Sequence, residues 1–296
     1  VFPTTTEQVV SIVKLCQELR VPFLPRGSGT SLAGGCLPVG GGVIISLARM
    51  KRILEVDLRN RYALVEAGVI NMWLTNRIKG DGWHYAPDPS SQGACTIGGN
   101  VATNSGGPHT LKYGVTVNHV LGVEIVMPDG TVQTLGGPVE DGPGLDLTGV
   151  VVGSEGTFGV VTKAWVRLVR NPESVRTLLG VFESVDDATA AISAIIGAGI
   201  VPAALEMLDS LILKAVEEAF SFGFPLDAGA VLIMEKDPTN RQLLRRLLAD
   251  LQRGAGVARI RPFDTIRHHH HVALRHRSSR QRRNRRRHAL GSGRRF

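Results

Sequence analysis

Pro25-Arg26-Gly27-Ser28-Gly29-Thr30-Ser31-Leu32-Ala33-Gly34-Gly35 is the stretch on which the fold of this 296-residue chain turns. It lies between two short apolar runs, Val21 to Leu24 and Val43 to Ser46, and upstream of it Val9, Ile12, Val13 and Cys16 fall at helical spacing. Thr4 with Glu7 three residues on predicts a capped helix start there, and Arg20-Val21-Pro22 its end. Helix, strand, glycine loop and strand in this order predict a small α/β unit with a ligand loop beyond a strand end. Two familiar loops are excluded by spacing. Gly27-x-Gly29 is followed by Gly34, too far for the dinucleotide turn, and Gly35 stands where a P-loop needs its lysine. What remains is a backbone without Cβ atoms beside Arg26, a surface whose N–H groups can turn towards an anion.

Four further segments have the same make-up: Pro87-Asp88-Pro89-Ser90-Ser91, Thr96-Ile97-Gly98-Gly99-Asn100, Asn104-Ser105-Gly106-Gly107 and Gly153-Ser154-Glu155-Gly156-Thr157. Together they could wrap an extended pyrophosphate ligand through backbone and hydroxyl donors. Thr96 also reads as a helix start, where unpaired N–H groups favour phosphate. Between these loops, Ile53 to Val56 and Tyr62 to Glu66 read as strands, Val69 to Thr75 as helical, and Gly80 to Gly114 as a long irregular stretch. His119 to Met127 and Thr131 to Leu135 flank Pro128-Asp129-Gly130, a hairpin signal. Arg170-Asn171-Pro172 punctuates the chain, and beyond it runs at 178–182, 203–207 and 230–234 alternate with helical segments at 185–198, 210–220 and 242–254.

Taken in order, Phe2-Pro3-Thr4-Thr5, Pro25 to Thr30, Asp88 to Ser91, Cys95 to Asn100, Asn104 to Gly107, Lys112-Tyr113-Gly114 and Gly153 to Thr157 resemble the FAD-binding domain of the vanillyl-alcohol-oxidase or p-cresol methylhydroxylase (PCMH) type. The likeness runs from Val1 to about Arg253 and is greatest to the glycolate oxidase FAD subunit and D-lactate dehydrogenase branch. It implies an α+β chain: a two-subdomain PCMH-type FAD-binding domain over 1–172, then a partial α+β cap domain, the C-terminal domain of FAD-linked oxidases, over 173–257. It further implies that Pro25, Arg26, Gly27, Ser28, Gly29 and Thr30 cradle the pyrophosphate, and that Ser91, Thr96, Gly98, Gly99 and Asn100 hold the flavin side. Thr103, Asn104, Gly106, Gly107 and Gly114 continue the cofactor surface, and Glu155, Gly156, Thr157, Gly159 and Val160 meet the adenosine or ring region. The first loop has no His, so FAD is expected to be held noncovalently.

The reaction that the resemblance implies is FAD-dependent oxidation of a 2-hydroxy acid, glycolate or D-lactate, by hydride transfer to flavin N5, with a base taking the hydroxyl proton. Such a chain would be the FAD subunit of a glycolate oxidase-like enzyme with an iron–sulfur electron-acceptor subunit as partner. The alternative is a non-catalytic FAD-binding or assembly subunit. The family's His-x-His-x-Gly-Asp-Gly-Asn segment does not occur, and His268 to His271 lack its acids and glycines. The catalytic base is therefore unassigned. His109, in Gly107-Pro108-His109-Thr110, is the candidate; His84 and His119 read as structural, and Lys112 and Tyr113 as positioning residues. Without an initiator Met, and opening at a helix cap, the sequence is expected to start inside a domain and to be truncated.

Charge and cysteines narrow the classes further. From Arg259 to Phe296 there are 13 arginines, no lysine and one acid, Asp264, so the tail carries +12 of a net +8 and the body −4. The 258–296 segment is read as a disordered or frame-shifted tail, with a basic arm for RNA, DNA or acidic lipid as the other reading; no specific nucleic-acid partner is expected. Cys16, Cys36 and Cys95 are too scattered for a disulfide framework or metal site, and no metal is expected. With no apolar run long enough to span a bilayer, the expected location is cytoplasmic, or peripheral to the inner face of a membrane through partner subunits.

Overall fold

The computed structural model describes residues 1–139, 144–236 and 257–263. The fold is α+β and separates into two compact units, Val1–Pro172 and Glu173–Phe296.

The first unit begins with α1 (Thr6–Glu18). The cap is Thr5 rather than Thr4: its hydroxyl accepts from the Gln8 N–H, while Gln8 Oε1 reaches back to the Thr4 N–H at 2.7 Å. The one-residue slide has a cause, because the Thr6 hydroxyl turns inward to Glu124 at 2.7 Å and belongs to the helix. Val9, Val13 and Cys16 are buried, and the two valines pack on Ile45, Met50, Val126 and Val160. Each such side chain contributes roughly 1.5–3 kcal/mol by leaving water. β1 (Phe23–Arg26) then pairs in parallel with β2 (Val43–Ser46), Phe23 opposite Val43 and Arg26 opposite Ser46, so the glycine loop leaves the C-terminal end of β1.

β3 (Ile53–Asp57) and β4 (Tyr62–Glu66) follow as an antiparallel pair, then α2 (Asn71–Ile78), which starts two residues later than its apolar period predicts. Val69 and Ile70 stay extended because the Val69 carbonyl accepts from Ile97 N and Ile70 bridges Thr96. The stretch expected to be irregular contains β5 (Trp83–His84), α3 (Ile97–Thr103) and α4 (Thr110–Tyr113). The hairpin forms as β6 (Val120–Val126) and β7 (Val132–Gly136), with Gly130 at φ 80° in the turn. After α5 (Leu147–Val151), β8 (Val160–Arg167) inserts between β4 and β6. The resulting five-stranded antiparallel sheet has the order β3-β4-β8-β6-β7, and β9 (Val169–Arg170) pairs with β5. Its core includes Val65, Leu74, Ile97, Val101, Val123, Ile125 and Ala164, so α2 and α3 are held on this sheet.

The second unit contains β10 (Arg176–Phe182), α6 (Val185–Gly197), β11 (Ala204–Asp209), α7 (Ser210–Phe220), β12 (Ala230–Lys236) and β13 (Val257–Phe263). Its strands form one antiparallel sheet in the order β11-β12-β10-β13. Alternation along β12 sends Ala230, Leu232 and Met234 into the cluster of α6, and Val231 and Ile233 into that of α7. β13 reaches into the stretch from 258 that composition assigns to the tail: 259–263 pairs with β10. The helix expected at 242–254 and the remainder of the tail, 264–296, lie outside the described residues.

Candidate cofactor-binding site

The glycine loops converge on one cavity of about 540 Å³ in the first unit, within the size range of cofactor sites. Its wall is built from the loop after β1, the end of β4 at Ala67, the segment 89–95, α3, Ser105 and Gly106, α5 at Val151, and Ser154 to Gly156 with Gly159 and Val161.

α3 is the hinge of this geometry. Thr96 caps it, its hydroxyl accepting from Gly99 N at 3.2 Å. The start of the helix is wedged between two backbones. A Cβ on Gly27 would stand 2.4 Å from Thr96 Oγ1, and one on Gly98 would stand 2.6 Å from the Ala67 Cβ. Gly29 takes φ +71°, and the Arg26 guanidinium folds over it so that a Cβ there would meet Nη2 at 2.6 Å. The loop is tied to the opposite wall by the Ser28 hydroxyl, which donates to the Ala94 carbonyl. Behind α3 a buried polar chain fixes the helix: Asn71 Nδ2 donates to Asn100 Oδ1 (3.1 Å) and to the Pro87 carbonyl (2.8 Å), and Asn100 Nδ2 donates to Ser105 Oγ (3.1 Å). Arg26 and Glu155 are the charged residues on the wall, which otherwise presents hydroxyls, backbone and small apolar groups. A wall of this kind, Cβ-free where loops meet and rich in donors, can hold a long ligand carrying a pyrophosphate.

Of the residues expected to bind cofactor, Pro25, Arg26, Gly27, Ser28, Gly29, Thr30, Ser91, Thr96, Gly98, Gly99, Asn100, Thr103, Gly106, Glu155, Gly156 and Gly159 line the cavity. Five do not, and each has another task. Asn104 closes α3 in the left-handed conformation and accepts from Val117 N at 2.9 Å. Gly107 presses on the Asp88 carbonyl behind the wall, and Gly114, at φ +80°, ends α4 against the Asn118 amide. The Thr157 hydroxyl donates to the Ser154 carbonyl, and Val160 is buried in the α1 cluster. Leu47, Ala67, Val151 and Val161, apolar residues of the wall, carry no local sequence signal of this role. Ser31 to Ala33 and Gly35 belong to the loop as read from sequence and line the cavity, as does Cys36, which was not read as part of it.

The expected polar residues lie one layer out. His109 Nδ1 meets Asp88 Oδ2 at 2.6 Å, and its ring tilts towards that of Tyr113 at 6.3 Å. Lys112 Nζ sits 5.1 Å over the Tyr113 ring. His84, paired with the Asn171 amide at 3.1 Å, is held below the usual imidazole value chiefly by burial, against the hydrogen bond to Asn171. His119 is likewise lowered by burial, with Nε2 on the Tyr113 carbonyl at 2.7 Å. Among the described residues no His/Cys/Asp/Glu group could hold a metal ion, and no helix is long and apolar enough to cross a membrane.

Comparison with known proteins places these observations in a family. Residues 1–136 match the FAD binding domain family and residues 171–291 match the family described as FAD linked oxidases, C-terminal domain. The chain is 46% identical over 237 residues to glycolate oxidase subunit GlcD of Escherichia coli (strain K12), covering 80% of this chain and 48% of that protein. It is 45% identical over 238 residues to glycolate oxidase subunit GlcD of Bacillus subtilis (strain 168), 80% of this chain and 51% of the relative. To the D-lactate dehydrogenase of Anaerostipes hadrus it is 37% identical over 216 residues, 73% of this chain and 45% of the relative. It thus spans about half the length of these relatives. Among solved structures, alkyldihydroxyacetonephosphate synthase superposes with a TM-score of 0.73 at 23% identity, covering 88% of this chain and 51% of that one. P-cresol methylhydroxylase with substrate bound superposes at 0.70 and 20%, covering 88% and 57%. Glycines that leave no room for a Cβ, an N-capped helix on the cavity floor and both domain matches agree: the chain is an FAD binding domain followed by the C-terminal domain of FAD linked oxidases, with FAD as its cofactor.

Proposed function

We propose that the chain is the FAD-carrying part of an enzyme that oxidises a 2-hydroxy acid, glycolate or D-lactate. The observation that carries this is the convergence of the glycine loops on one cavity, in a chain whose relatives bear the names glycolate oxidase subunit and D-lactate dehydrogenase. FAD, when bound, supplies the acceptor for the two electrons and hydrogen removed from C2 of the acid. The protein's part is to orient and to exclude water. Arg26 and the backbone of Gly27 to Thr30 would neutralise the pyrophosphate, Ser91 and the start of α3 would hold the flavin side, and Glu155 with Gly156 and Gly159 would meet the adenosine or ring region. With no His in the first loop, binding is noncovalent.

The reading extends to assembly and place. Since the most similar relatives named here are called subunits, we assign electron transfer onward to a partner subunit carrying iron–sulfur groups. Its location would be the cytoplasm or, through such partners, the inner face of a membrane, in keeping with three free cysteines.

The experiment is direct. The purified chain, loaded with FAD and freed of excess, should be yellow and lose its visible absorbance on anaerobic addition of glycolate or D-lactate. A folded chain that takes up no FAD sinks the proposal, and one that binds FAD but is bleached by neither acid reduces it to a non-catalytic FAD-binding or assembly subunit.

A further inference from the structure

We infer that residues 29–41 form a strap that closes over FAD once the cofactor has entered the cavity, with Leu32 as the side chain that covers one of its rings. The inference rests on FAD as the occupant and is independent of which acid is oxidised.

The strap is pinned at its two ends. At one end the Ser28 hydroxyl donates to the Ala94 carbonyl. At the other, Gly42 presses on Pro22 so closely that a Cβ would stand 2.2 Å from the Pro22 carbonyl oxygen, which also accepts from Val43 N at 2.8 Å. Between the ends, among the described residues, the hydrogen bonds of 29–41 stay inside the segment. Leu37 N donates to the Gly34 carbonyl, Val39 N to that of Leu37, Gly41 N to that of Pro38, and Ala33 N to the Ser31 hydroxyl. Glycines supply the bending points: Gly29, Gly34 and Gly41 take φ of +71°, +77° and +78°, a region that costs glycine little, and Gly40 and Gly41 have open space around them. A segment anchored at both ends, with bending points inside it and no cross-links to break, is built to move as a flap.

The side chains of the strap say what it closes on. Leu32 and Val39 are the two most exposed large apolar side chains among the described residues, and Leu37 is 58% exposed. Apolar groups held in water this close together gain from burial, and they mark a contact surface. Leu32 stands on the cavity wall with its neighbours Ser31 and Ala33, so the nearest cover is the ligand of that cavity. Gly35 reaches the loop of Glu155, where a Cβ would stand 3.3 Å from the Glu155 Oε2, so the strap bridges two sides of the wall. No residue from 29 to 41 is charged, which suits the strap to a flat neutral ring and not to the pyrophosphate. FAD offers two such rings, adenine and isoalloxazine, and cofactor sites bury most of their ligand's surface.

The test is hydrogen exchange of the whole chain, read in peptides covering 31–41, without ligand and with saturating FAD, ADP or FMN. FAD should slow exchange at 37–41 about tenfold, beyond the reach of direct contact with a fixed rim. Protection by ADP alone puts adenine under the strap, and protection by FMN alone puts isoalloxazine there. Leu32→Ser should speed FAD dissociation about tenfold and leave association within about twofold, because closure follows entry. Leu32→Met should keep the slow dissociation. Unchanged exchange at 37–41 in the FAD-loaded chain, or equal dissociation rates in the unaltered chain and Leu32→Ser, would overturn the strap alone. A folded chain that takes up no FAD overturns the cofactor reading and the strap with it.

Discussion

Gly27 lies so close to Thr96 that a Cβ on the glycine would stand 2.4 Å from the threonine hydroxyl oxygen. The first glycine loop and the floor of the cavity are therefore spaced by the absence of one methyl group. Gly27→Ala should weaken FAD binding tenfold or more, measured by quenching of flavin fluorescence, while the melting temperature falls by only a few degrees. Gly93→Ala, in the segment just before α3 but with open space around it, should leave affinity unchanged.

Thr96 is also a helix cap, and here the effect is on stability. Thr96→Ala removes the oxygen that accepts from Gly99 N and should cost about 1 kcal/mol, read as a lower urea midpoint with an unchanged slope. Thr96→Ser should restore most of it. Equal losses in both variants would mean that the methyl group, not the cap, matters.

Glu124 ties α1 to the sheet, accepting from Thr6, Thr162 and Lys163 at 2.7, 2.7 and 2.9 Å. Burial pushes its carboxyl up, but the hydrogen bonds from Lys163, Thr6 and Thr162 outweigh this and hold it below the ordinary 4.5. The stabilisation is thus present above pH 4.5 and is lost as pH falls below it. Glu124→Gln should destabilise the chain by roughly 1–3 kcal/mol at pH 7 and flatten the pH dependence of the melting temperature between 4.5 and 3.

His84 and His119 are both held neutral, chiefly by burial, below the usual 6.5. The unfolded chain then takes up protons that the fold refuses, so their contribution is present above pH 6.5 and lost as pH falls from there. The melting temperature should decline from pH 7 to 5.5. His119→Gln should be less stable at pH 7 yet show a shallower decline; an unchanged slope would remove His119 from this account.

Much of the fold was legible in the sequence because its signals are local. The stripe Val9, Val13 and Cys16, the Pro128-Asp129-Gly130 turn and the cap at Thr96 each act through neighbours a few residues away. The cavity was half legible. Glycine and hydroxyl clusters announced a ligand surface, yet the same composition also serves loop closure, and nothing local separates Gly106 on the wall from Gly107 behind it. The partners that sort them, Asp88 for Gly107 and Val117 for Asn104, are 19 and 13 positions away. The apolar wall at Ala67, Val151 and Val161 was hidden for a related reason: an apolar residue facing a cavity, whether in turn, helix or strand, looks like one facing a core.

Among the described residues, every wall residue of the cavity falls between Pro25 and Val161, inside the first unit. Cofactor possession is in that sense a portable trait: evolution can rewrite the sheet after Pro172 to suit new chemistry while the redox group keeps its address.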